Sequence, residues 1–209
     1  ASYYHTMKLL KTVGTPDVPT YGGAYDSGGS SRFMTGYDNY YAAMHNRISG
    51  AVSVKCDTED GILCLKNWLY DHLDGSETGG IGFFYSQYQG ATHYLPDESP
   101  HAFENVIISW GDSPDHAMSI IGYNDSVRYD YNGDGQFTND IDITGDDIVD
   151  VRDWEIGAFK MVNNYDVPYY AWMMYRTLAM ESDDGGIWNH TVNVMYAMSE
   201  YSPVLTYKI

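Results

Sequence analysis

Two short stretches carry side chains placed for chemistry. Asp115 and His116 open directly into Ala117-Met118-Ser119-Ile120-Ile121-Gly122-Tyr123, an apolar run stopped by Asn124 and Asp125. A run of that length and composition reads as a buried strand, which holds the residue at its head rigidly. An imidazole so held can take or give a proton near neutral pH, although a histidine at a strand start is more often a packed core residue. Gly157-Ala158-Phe159-Lys160-Met161-Val162 reads as a second apolar strand, and it ends in the amides Asn163 and Asn164 and the ring of Tyr165.

The segment between these strands, 125–153, is longer than a strand pair needs and is crowded with carboxylates. Asp130-Tyr131-Asn132-Gly133-Asp134-Gly135 matches the Asp-x-Asn-x-Asp-Gly opening of an EF-hand calcium loop, in which alternate oxygens face inward and the glycine permits the sharp turn. Positions one, three, five and nine fall on Asp130, Asn132, Asp134 and Thr138, with the Gln136 carbonyl at seven. Position twelve is Ile141, which cannot ligate, so Asp140 or Asp142 is expected to close the site. A second loop supplies Asp142, Thr144, Asp146, Asp150 and Asp153, with the Ile148 carbonyl at seven. It has Asp147 where glycine is usual, which demands a left-handed conformation there. The pair resembles the tandem loops of dockerin-like and thrombospondin-type calcium repeats. One or two Ca2+ ions are the expected cofactor, because so many carboxylates in one segment repel each other without a cation. A solvated acidic loop is the plain alternative.

The order of histidine, strand, glycine-led strand, asparagine and aromatic ring resembles the papain-like cysteine peptidases, whose motifs read His-Ala-Val-x-x-Val-Gly-Tyr and Gly-Tyr-x-x-x-Lys-Asn-Ser-Trp-Gly. The first motif is matched well from His116 to Tyr123. The second is matched loosely, with Asn164, Tyr165 and Asp166 where the family has Ser, Trp and Gly. The resemblance implies an α+β, papain-like fold: N-terminal helices and a C-terminal antiparallel β-sheet or barrel, with the calcium loops inserted between two strands. It implies that His116 is the catalytic base, that Asn163 orients it, and that Asp115 sits beside it. The first helix would then place Ser2 and Tyr3 next to the substrate pocket. The family's nucleophilic cysteine and oxyanion-hole glutamine lie upstream of that helix. The nucleophile is therefore expected on a companion chain or a truncated segment, unless the protein is an inactive relative.

The elements that must hold these residues follow from periodicity. Tyr3 to Val13 reads as an amphipathic helix stopped by Gly14 and Pro16, followed by a turn over Pro19-Thr20-Tyr21-Gly22-Gly23. Asp26 to Ser31 is a loop by composition, and Tyr37 to Arg47 a short helix. Val52, Val54 and Cys56 alternate as a strand. After Asp57 and Thr58, residues Ile62, Leu65, Leu69 and His72 form the apolar stripe of a helix carrying Cys64. Both cysteines read as structural, and the helix between them keeps their α-carbons beyond the ~7 Å a disulfide spans. Gly79 to Tyr85 reads as a glycine-rich strand, Gln87 to Phe103 as an irregular loop, and Val106 to Trp110 as a further strand closed by a turn over Gly111–Pro114. Strands over Tyr169–Tyr175 and Val192–Tyr196 follow, separated by a Gly185-Gly186 turn.

Composition bounds the partners. The 209 residues are 44% hydrophobic and 15% aromatic, enough for one core of ordinary size. Residues 1–202 are expected to form one domain, with 203–209 a linker or the start of another strand. A formal net charge of −18 argues against nucleic acid or an anionic membrane as partner. No apolar run approaches the ~20 residues of a membrane span. The resulting expectation is a secreted or cell-surface, bacterial cysteine-peptidase domain acting on a peptide or protein. The alternative is a non-catalytic calcium-binding module for adhesion or carbohydrate binding, suggested by 21 tyrosines and 5 tryptophans.

Overall fold

A computed structural model describes residues 3–21, 36–77, 79–163 and 169–205. Ser2, Asn164, Tyr165, Asp166 and the loop expected over 26–31 lie outside these residues. The chain divides into two compact units, 1–52 with 195–209, and 53–194.

In the first unit, α1 (Tyr3–Thr12) buries none of its residues, and Tyr4 and Leu9 are exposed. It ends at Gly14, whose φ of +90° suits glycine. An added Cβ there would meet the Ala43 carbonyl. Where a turn was expected around Pro19, a single helical turn, α2 (Val18–Tyr21), forms, with the Asp17 carboxylate accepting from the Thr20 N–H at its start. Helix α3 (Tyr37–His45) stops two residues short of the expected Arg47 because Asn46 turns to extended backbone. The Arg47 guanidinium instead lies 3.7 Å over the ring of Tyr201.

The second unit is built on a sheet. Six strands hydrogen-bond in the order β1-β6-β2-β3-β4-β5: β1 (Ile48–Lys55), β2 (Gly82–Tyr94), β3 (Asn105–Arg128), β4 (Ile156–Val162), β5 (Tyr170–Met174) and β6 (Thr191–Ala197). Pairs β2–β3, β2–β6, β3–β4 and β4–β5 are antiparallel, and β5 folds back to pair in parallel with the start of β3 through Val106↔Trp172. The sheet is open, so the antiparallel alternative holds and the barrel does not. Two expectations of irregular chain are corrected. Of the loop expected over Gln87–Phe103, the part to Tyr94 joins β2 and the rest stays irregular, and the turn over Gly111–Pro114 is absorbed into β3 as a bulge between paired stretches.

Helix α4 (Glu59–Asp71) starts where the sequence signals it, with Thr58 Oγ1 accepting from the Gly61 N–H and two acids in the first turn. Its Ile62, Leu65 and Trp68 share one core with Phe84, Ile120, Phe159, Met161, Met173 and Val192 of the sheet. The opposite side chains of β4 and β5, Ala158, Trp172 and Met174, enter a second cluster with Leu95, Val106 and Val127. These two strands are thus buried on both faces, which is why they read as near-continuous apolar runs, interrupted in β4 by Lys160. A short helix, α5 (Arg176–Ala179), follows β5. Among the described residues no helix is long and apolar enough to cross a membrane.

Candidate active site and acidic loops

His116 sits in the interior of the sheet, on β3 between β2 and β4. It lies opposite Ser86, and the register shifts immediately beyond, from Ser86↔His116 to Gln87↔Gly111. Asp112, Ser113, Pro114 and Asp115 are taken up in that bulge. The Ser113 N–H donates to Gln87 Oε1 at 3.3 Å, and Asp112 and Asp115 are exposed. Bulges of this kind re-aim a side chain next to a paired, rigid one.

On the other side, β4 pairs in the register Ser119↔Val162, so the next residue, Asn163, is delivered beside the histidine. Asn163 is buried to 3% exposure, and its backbone N–H donates to the Tyr169 carbonyl at 2.9 Å. Its Oδ1 is 2.9 Å from His116 Nε2. An amide oxygen only accepts, so Nε2 carries the hydrogen and Nδ1 is the basic nitrogen of the neutral ring. Gly157 lets β4 start here, with φ +107° and the Tyr175 ring packed where a Cβ would stand.

The other candidates fall as follows. Asp115 is exposed at the edge of the bulge. Tyr3 opens α1 in the first unit, whereas His116 belongs to the second. Both thiols are unpaired. Cys56 is fully buried, and burial pushes its pKa up to about 12, so it carries no thiolate near neutrality. Cys64 is half-buried on α4.

The two acidic loops repeat one hydrogen-bonding scheme. Asp130 accepts from the N–H groups of Gly133 and Gly135, and Asp142 from those of Gly145 and Asp147. Asp134 accepts from Gln136, as Asp146 does from Ile148. Asn132 Oδ1 accepts from Asp134, whereas the Thr144 hydroxyl donates to Asp142. The N–H groups at Gly145 and then Asp147 hold the Asp142 carboxyl below its ordinary pKa. Asp147 takes φ +65°, matching Gly135 at +79°, and an aspartate tolerates that region better than most side chains.

The carboxylate that closes the first loop differs from the expected one, while the second loop ends on Asp153. Asp153 is fully buried and accepts from Ile143, Thr144 and Asp150. In the first loop the matching amides, Tyr131 and Thr138, donate to the fully buried Glu155 at 2.8 and 3.1 Å. Neither Asp140 nor Asp142 takes this role. The Asp140 N–H only donates to Thr138 Oγ1, and Asp142 heads the second loop. Glu155 escaped sequence reasoning because it lies outside the twelve-residue frame and is brought back by the buried turn Val151–Asp153. Arg152 was also missed. It pairs with Asp146 at 2.7 Å and Asp150 at 2.6 Å, supplying positive charge inside the second loop, and it holds the Asp150 carboxyl below its usual range. Among the described residues no three His, Cys, Asp or Glu side chains converge as a metal cage. The oxygens point at loop amides instead.

No protein-family model matches the chain, and no curated protein matches it. A solved structure does: a clostridial cysteine protease, Cwp84, after propeptide cleavage. The TM-score is 0.51 at 15% identity, over 97% of this chain and 41% of that one. The likeness is one of fold, and the chain spans about two fifths of that protein's length.

Proposed function

We propose that this chain is the histidine- and asparagine-bearing part of a secreted cysteine peptidase, whose nucleophilic cysteine comes from a segment beyond these 209 residues. The observation that carries the proposal is the 2.9 Å contact between His116 Nε2 and the buried Asn163 Oδ1. That contact supports an oriented ring with the hydrogen on Nε2, in which Nδ1 acts as the base. The fold likeness to part of a cysteine protease supports it.

In the mechanism, Nδ1 takes the proton of the incoming thiol, giving a thiolate and an imidazolium. The sulfur attacks the scissile carbonyl carbon, and the Nδ1 proton passes to the leaving amine nitrogen as the C–N bond breaks. Water, deprotonated by the same nitrogen, then hydrolyses the thioester. Asn163 is neutral, so it orients the ring without adding charge, and Asp115 beside the base is a minor influence on it.

Calcium in this proposal is structural, stiffening the connection between the strands that carry the base and its partner. The donor set of the first loop suits the ion: Asp130, Asn132, Asp134, the Gln136 carbonyl, Thr138 and the buried Glu155. The second loop, with Asp142, Thr144, Asp146, the Ile148 carbonyl, Asp150 and Asp153, already holds the Arg152 guanidinium against two of its acids, so the first loop is the stronger site.

The test is native purification followed by labelling with a thiol-directed epoxide inhibitor, with casein hydrolysis as the activity. The expected result is a labelled cysteine on a co-purifying peptide and loss of hydrolysis in His116→Ala. Absence of both label and hydrolysis would remove the peptidase proposal.

A further inference from the structure

A cleft of about 330 Å³ shares no residue with the His116–Asn163 pair. It is lined by Tyr94, Pro96, Tyr129 and Phe137 together with Glu98, Asp130 and Gly135. We infer that this cleft binds a sugar unit of an uncharged polysaccharide.

The Tyr129 ring is held in place before any ligand arrives. The Tyr129 hydroxyl is 2.9 Å from His93 Nδ1, and its ring meets the edge of Tyr131 at 5.1 Å. Tyr131 is itself anchored, its hydroxyl donating to the Ile108 carbonyl at 3.1 Å. Tyr94, at the end of β2, is 69% exposed and offers the open wall.

Charge decides the class of ligand. The Arg128 guanidinium already lies 5.6 Å over the Phe137 ring, so that ring's attraction for a cation is already used. Both Asp130 oxygens already accept from the Gly133 and Gly135 amides of the first acidic loop. An anion would meet Glu98 and Asp130. What remains for a ligand is the apolar surface of the lining rings and the Glu98 carboxylate, which has no partner among the described residues. A pyranose has the complementary surface: an apolar C–H face for the rings and hydroxyls that donate to a carboxylate. The cleft lies at the small end for ligand sites, which favours one or two sugar rings over an extended peptide.

The test is titration calorimetry of the full chain with chitotetraose, cellohexaose and maltohexaose, with decaproline as the competing peptide probe. Saturable binding of at least one oligosaccharide is expected, weakened roughly tenfold or more by Tyr94→Ala. Glu98→Gln should weaken it less. Tyr70→Ala, equally exposed but on α4, should leave binding unchanged, and so should His116→Ala, which separates this site from the peptidase proposal. Circular dichroism verifies that Tyr94→Ala remains folded. Three results overturn the inference: no oligosaccharide binding at about 10 mM, well above the millimolar range of weak binding; binding indifferent to Tyr94→Ala; or binding of decaproline and no sugar.

Discussion

Glu155→Gln tests the construction of the acidic loops. The side chain is fully buried, and its two oxygens accept from the Tyr131 and Thr138 amides at opposite ends of the first loop. Glutamine keeps the size and one acceptor, but its NH2 group must face one of those N–H donors. One charge-assisted bond is lost, the other weakened, and a buried amide is left unsatisfied, a total of about 2–4 kcal/mol. For a chain of this size that lowers Tm by roughly 5–15 °C. The assay is thermal unfolding followed by circular dichroism, in chelator and in excess calcium. Wild type should gain stability with calcium, about 2.7 kcal/mol at a hundredfold excess over Kd. Glu155→Gln should lose most of that gain, and Asp140→Asn, an exposed change, should keep it. The reasoning fails if Asp140→Asn abolishes the calcium gain while Glu155→Gln melts within about 1 °C of wild type. The calcium assignment fails if wild type shows no gain.

Asn163→Ala removes the acceptor at His116 Nε2 and should cost about 1 kcal/mol of stability. Its specific signature is the ring: nitrogen-15 NMR should change from one dominant tautomer to a mixture, and an unchanged spectrum would mean that Asn163 does not position the base. For Cys56, burial raises the pKa from 9.0 to about 12, so the folded state keeps a proton that the unfolded state releases first. Its contribution to stability is complete below about pH 9 and is lost as pH rises from 9 towards 12. Thermal melts between pH 8 and pH 11 should show that decline, reduced in Cys56→Ala. At pH 8 a disulfide reagent should modify Cys56 only on unfolding, and rapid modification in the folded protein would contradict its burial.

Local pattern determined much of this protein. The stripe of Ile62, Leu65 and Leu69 with its Thr58 start specified α4, and the apolar runs after His116 and after Gly157 specified strands, because helix capping and burial on one or two faces leave periodic marks. The left-handed backbone at Asp147 was likewise legible, since the repeat of the loop demands it. Only tertiary structure decided how the runs meet. That Val162 pairs with Ser119, and so delivers Asn163 to His116, depends on strand register, which is set by the fit of whole faces and not by any single residue. The continuation of β2 and β3 through polar, bulged sequence depends on neighbours that satisfy their backbone groups. Glu155 is the plainest case. Its charge and position in the chain said nothing of a loop that begins twenty-five residues earlier, until folding buried it where two amides of that loop needed an acceptor.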